Sequence, residues 1–337
     1  MPFLQFLTGE DEPCSDIKLG IHGFVEYIPG NTGLIISVPH GGEMRPPFMD
    51  DRDKKPKSKS GSVPHSTLDN NNVNSDENVA MIEDSLEDDT NSKISVVADI
   101  FTQEIAKILV KEYEDITGKR PHLILDHLHR SKMDPNRPMW FATLGDKLAE
   151  GVFKNYHNFI SEARKSIDGP GLLIDLHGQN HHQNSIELGY LYTKGMLNQE
   201  NYSLVTPSVN CLLSRHQLQP PDILHGDESL GAMLEEAGYR SCPSPRQPWP
   251  GADKYYKGGY ITATHGSSGD STGQIDAIQL ELPAEIRHER GPEHRERFAR
   301  ACAKVLVRFM EKYYACDMSN VISSETESTT FKDDSNQ

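Results

Sequence analysis

Two short apolar runs in this chain end in the same way. Leu34-Ile35-Ile36-Ser37-Val38 passes into Pro39-His40-Gly41-Gly42, and Gly171-Leu172-Leu173-Ile174-Asp175-Leu176 passes into His177-Gly178. A strand with one wet face alternates apolar and polar residues, whereas a nearly unbroken apolar run bounded by loop formers is the pattern of a strand covered on both faces. Such strands belong to sheets held between layers of helices. In those sheets ligands sit beyond the carboxyl ends of the strands, and a glycine there lets a ligand approach the backbone. Both histidines are thereby placed where a site is expected.

The rest of the chain fits the same frame. Residues 122–128, 186–192 and 275–282 read as further strands, and 95–113, 146–166 and 292–314 as helices with apolar residues at helical spacing. In the first helix the pattern is carried by Val96, Val97, Ile100, Ile105, Ile108, Leu109 and Val110. Strands alternating with helices predict an α/β fold, a three-layer α/β/α arrangement with a mostly parallel, mixed sheet. With 337 residues the chain is long for one domain but within the range of α/β domains that carry insertions, so a single domain over 1–317 is expected. Residues 51–93 are rich in Lys, Ser, Asn, Asp and Glu, which reads as a disordered polar insertion, and 318–337 as a disordered tail.

Charge removes whole classes of partner. A formal net charge of -16 repels nucleic acid and anionic membranes alike, and no apolar run is long enough to span a bilayer. Residues 1–7 are apolar but lack a basic flank, so they do not read as a secretion signal. Cys14, Cys211, Cys242, Cys302 and Cys316 are odd in number with no C-x-x-C pair, as expected of free thiols in the cytoplasm. Nothing in the pattern selects an oligomeric state.

Chemistry is carried by a few side chains. Glu43 follows His40 by three residues, and with His177 these make two histidines and a carboxylate, a set that holds one zinc ion and leaves a position open for water. An isolated H-x-x-E is common by chance, and with 15 histidines in the chain several, such as His127, His129, His181 and His182, are bystanders. Asp175 shares a strand side with His177 and is placed to orient its ring, or else to cap the strand end. Arg130, Asn136 and Arg137 lie in one loop after a strand, suited to gripping a carboxylate, although a solvated basic turn would look the same. Gly259 and Tyr260, with His265 beyond, suit a place where backbone amides meet a ligand, and equally a hairpin turn. Glu281 interrupts an apolar strand; a buried carboxylate needs a cation or a chemical task, so it is the candidate general base, with an ion pair to Arg287 as the structural alternative.

Five segments, VPHGGE, RSKMDPNR, LLIDLHG, KGGYITATHG and IQLELP, occur in this order within residues 30–312 and together resemble the N-formylglutamate amidohydrolase family, related to the zinc carboxypeptidases and aspartoacylases. The resemblance implies a phosphorylase/hydrolase-like fold, one zinc held by His40 and His177, Glu281 activating water, Arg130 assisting the oxyanion, and Arg130, Asn136 and Arg137 holding the carboxylate of an N-formyl or N-acyl amino acid. For the acidic ligand it leaves two candidates, Glu43 and Asp99. A metallocarboxypeptidase acting on short peptides, and a non-catalytic binding protein that keeps the fold, are the alternatives.

Overall fold

The computed structural model describes residues 17–54, 94–269 and 274–315. Most of the polar segment, the tail, residues 1–7, Cys14 and Cys316 lie outside the described residues.

The frame is one eight-stranded sheet. Its strands are β1 (Lys18–Leu19), β2 (Val25–Ile28), β3 (Leu34–Val38), β4 (His122–Asp126), β5 (Gly171–Gln179), β6 (Ile186–Gly189), β7 (Ser241–Cys242) and β8 (Ile275–Pro283). They lie in the order β1-β2-β4-β3-β5-β8-β6-β7. The central strands β4, β3, β5 and β8 are mutually parallel, while β2 and β6 flank them antiparallel. The fold is therefore the expected mixed, mostly parallel one.

Period-two alternation divides the central strands between two apolar layers. Leu34, Ile36, Val38, Leu172, Ile174, Leu176, Ile278 and Leu280 pack with α1 (Thr102–Thr117) and α9 (Pro292–Tyr313). Ile35, Ile124, Leu173 and Ala277 pack on the other face with Val152, Phe153, Tyr156 and Ile160 of α3 (Lys147–Ser166), which follows the short α2 (Met139–Thr143). Helices on both faces make the third layer. Asp146 caps α3 by accepting hydrogen bonds from the backbone N–H groups of Leu148 and Ala149, each at 3.0 Å. Between β6 and β8 run α4 (Lys194–Asn198), α5 (Asn210–His216), α6 (Pro220–His225), α7 (Leu230–Glu236) and α8 (Tyr260–His265). Among the described residues no helix is long and apolar enough to cross a membrane.

Three expectations need correction. The helix predicted from 95 starts only at Thr102, because Phe101 adopts a left-handed backbone (φ 69) and the Asp99 N–H donates to the His40 carbonyl at 2.9 Å instead of entering a helical ladder. Within the 257–266 stretch, readable as a hairpin turn, Tyr260–His265 forms α8. Asp51 and Arg52, assigned by composition to the polar segment, are held in place: Arg52 is completely buried, since its guanidinium reaches the carbonyls of Ser95 (3.3 Å), Arg130 (3.1 Å) and Phe141 (3.2 Å).

Candidate metal centre

Strand register builds the site. Parallel pairing of β3 with β5 sets Ser37 beside Asp175, so the chain leaving β3 carries His40 to His177, and pairing of β5 with β8 sets His177 beside Glu281. Asp99 arrives from the turn before α1, tethered to the His40 carbonyl. His40, Asp99 and His177 form a buried group with ligand-type atoms within reach of one cation. His40 Nδ1 lies 3.1 Å from His177 Nδ1 and 3.3 Å from Asp99 Oδ2, and His177 Nδ1 lies 3.2 Å from Asp99 Oδ2. Ligands ~2.0–2.1 Å from a tetrahedral zinc are about 3.3 Å apart, so this triangle matches one face of such a tetrahedron.

Proton placement sharpens the fit. His40 Nε2 lies 2.7 Å from Asp134 Oδ1, and His177 Nε2 lies 2.9 Å from Asp175 Oδ2. Each carboxylate accepts the Nε2 proton, which turns the Nδ1 lone pair of each ring inward. Two lone pairs and a carboxylate oxygen then face one another with no donor between them, and only a cation or an added proton relieves that. Without a metal the proton goes to His177: burial opposes it, but the Asp175 and Asp99 carboxylates raise its pKa well above the ordinary histidine value. Burial likewise works against ionised Asp99 and Asp134. The two histidines beside it nevertheless keep Asp99 far below the usual carboxylate range, and Arg130, His40 and Arg52 do the same for Asp134. The residues present fit a divalent cation bound by two imidazoles and one carboxylate.

Beneath the rings, Ser37 Oγ donates to Asp175 Oδ1 at 2.9 Å and meets the Tyr156 hydroxyl at 2.8 Å, so Asp175 orients His177 rather than capping its strand. Asp134 also accepts from Arg130 Nε at 2.9 Å and from Arg52 Nη1 at 3.5 Å. Glu281 is buried; Oε1 accepts from Gln279 Nε2 at 3.0 Å and Oε2 has no hydrogen-bond partner. Burial pushes its carboxyl up to about 8, partly offset by the positive charge of His177. Arg287 is not its ion-pair partner, because that guanidinium donates to backbone carbonyls instead.

The other candidate residues separate. Glu43 is exposed and lies outside the group, a correction with a backbone cause: Gly42 presses against the His127 main chain, and Met44 bonds to His127 and His129, which carries residue 43 away from His40. The acid in reach is Asp99. Arg130 is tied to Asp134, and its charge acts on both Asp99 and Glu281. Asn136 lies 3.2 Å from His177 Nε2, donates to Gln279 Oε1 at 3.2 Å, and accepts the Ile261 N–H at 2.9 Å, so it joins α8 to the site. A Cβ at Gly259 would stand 2.3 Å from the Asn136 amide, which explains the glycine. Arg137 is half-buried in the same loop, and Tyr260 packs on Phe153 and His157. His265 stacks on His157, centroids 5.1 Å apart, with Nε2 2.8 Å from His157 Nδ1, and so faces the α3 layer rather than the two site histidines. Asp134 was not singled out from sequence; its position between Arg130 and Arg137 in an apolar-flanked loop was the available signal.

No family model and no curated protein matches the chain. Among solved structures, it is similar to the N-formylglutamate amidohydrolase from Ralstonia eutropha JMP134, with 13% identity and a TM-score of 0.45 over 86% of this chain and 97% of that one. It is also similar to a gene product from Agrobacterium tumefaciens, with 13% identity and a TM-score of 0.43 over 92% of this chain and all of the other.

Proposed function

We propose that the chain is a metal-dependent amidohydrolase acting on an N-formyl or N-acyl amino acid, with His40, Asp99 and His177 as the ligands of one zinc ion and Glu281 as the general base. The observation that carries this reading is the triangle of inward-facing acceptor atoms at 3.1, 3.2 and 3.3 Å, beside a buried carboxylate with a free oxygen. When bound, a divalent cation there supplies Lewis acidity to a carbonyl and acidity to water.

The chain's own groups supply the rest. Glu281 Oε2, buried and without a partner, takes the proton of the attacking water and returns it to the amine nitrogen as the carbon–nitrogen bond breaks. Burial raises its proton affinity, which suits a group that must hold a proton and then release it. Asp134 and Asp175 fix the two rings. Arg130 places positive charge near Glu281, suited to developing negative charge on the substrate oxygen, and Arg137 is the anchor for the substrate carboxylate. The five sequence segments supply the substrate class, and the buried thiols of Cys242 and Cys302 suit a reducing cytoplasm.

Metal analysis of purified protein, followed by assay of N-formyl and N-acyl amino acids for release of a carboxylic acid and a free amine, tests the reading. About one zinc per chain with turnover supports it. A chain that neither carries nor takes up a divalent metal sinks it.

A further inference from the structure

The residue that Glu281 does not pair with has a task of its own. Arg287 is buried in a π-helical turn (Glu285–Glu289) directly after β8. Its Nε donates to the Leu282 carbonyl at 3.1 Å, one Nη to that of Ile100 at 3.3 Å, and the other to that of Gln179 at 3.0 Å and to Asn180 Oδ1 at 2.8 Å. Leu282 follows Glu281, Ile100 follows Asp99, and Gln179 lies two residues beyond His177. One planar guanidinium thus grips the backbone next to the base and next to two of the three ligands.

Two independent features show that the surroundings are built for this. A Cβ on Gly178 would lie 2.4 to 2.7 Å from Arg287 side-chain atoms, so the residue after His177 must be glycine for the guanidinium to fit. Phe101 holds a left-handed backbone that a bulky residue adopts only under constraint, and Arg295 supplies that constraint by covering its ring at 4.1 Å, pairing with Glu104 of α1, and donating to the Arg287 carbonyl at 2.9 Å. A rigid fork of donors is what arginine offers and lysine does not.

We propose that Arg287 is a positioning residue, a clamp that sets the spacing of Asp99, His177 and Glu281 by holding the three backbones that carry them. This rests on the metal-site reading above. The substitution R287K keeps charge and removes the fork; G178A keeps the arginine and displaces it. With the full chain, cobalt(II) is titrated into each variant and its visible spectrum recorded, with R215A, which removes the ion pair of an exposed arginine with buried Asp276, as the control matched for thermal stability. Expected is at least about tenfold weaker cobalt binding and an altered spectrum in R287K and G178A but not in R215A. Wild-type affinity and spectrum in both variants would overturn the clamp. Hydrogen exchange of the metal-free proteins separates the two ideas. A wild type that binds no metal removes the metal-site reading, yet faster exchange confined to 99–102 and 178–182 in R287K still supports the clamp, and unchanged exchange overturns it.

Discussion

His40 and His177 present their Nδ1 atoms to each other at 3.1 Å while each commits its Nε2 to a separate buried carboxylate. Two neutral imidazoles do not rest lone pair against lone pair in a protein interior, so the pair calls for a proton or a cation between its rings, and the proposed function assigns the cation. The predictions follow from that geometry.

The acidic ligand is decided by a paired substitution. Asp99→Ala should abolish stoichiometric zinc while Glu43→Ala leaves it unchanged, because only Asp99 reaches the two histidines. Metal content by mass spectrometry reads this directly, and retention of zinc in Asp99→Ala would return the ligand to another acid.

Glu281→Gln keeps the shape and the contact with Gln279 but cannot take a proton. Metal content should be retained and kcat fall by about 10²–10⁴, the usual contribution of a positioned base. A kcat within twofold of wild type would remove Glu281 from the chemistry.

Asp134→Asn retains an acceptor for His40 and loses the charge that strengthens the ring as a ligand. Zinc affinity should weaken by roughly 10- to 100-fold, as is usual when such partners are altered. Competition with a chromogenic chelator measures it, and an unchanged affinity would show that Asp134 serves only its arginines.

Gly259→Ala drives a methyl against the Asn136 amide. Overpacking of this kind costs roughly 1–3 kcal/mol, so the urea midpoint should fall, with KM affected more than metal content because α8 hangs from Asn136. Stability equal to wild type would mean that the loop moves freely.

Acid sensitivity has a definite sign. Burial lowers His122 and His157 to about 4. The folded chain therefore holds both rings neutral where the unfolded chain protonates them below about 6.5, so stability present above that pH is lost as pH falls towards about 4. Glu281, held up at about 8, contributes with the opposite sign over part of this range, so the rings are read by difference: with metal chelated, the denaturation midpoint should fall less between about pH 7 and 5 in His122→Gln than in wild type. Equal falls in the two proteins contradict the burial of that ring.

How much of this was readable depended on what each residue answers to. The β3, β5 and β8 runs and the helix predicted over 146–166 were legible, since burial on both faces and helical spacing of apolar residues leave local marks in sequence. Strands β1 and β7, two residues each, were not, because only their partners make them strands. Glu43 was chosen by a three-residue spacing that brings side chains together on a helix, but residues 41–43 are not helical. Asp99 entered only as the second candidate that the family resemblance left open, because Val96, Val97 and Ile100 continue a helical pattern that the left-handed Phe101 interrupts. The contacts of Asp134 and Arg287 depend on strand register and were invisible until the sheet was assembled.

Arg52 donates to the carbonyl of Ser95, 43 residues further along the chain, so the main chain leaves the site region and returns to it at a single fastened point. Closing a longer loop at such a point costs only about 0.6 kcal/mol for each doubling of its length. What the fastening secures is therefore the two described ends, Arg52 and Ser95, which stay joined beside Asp134 however the backbone between them is lengthened.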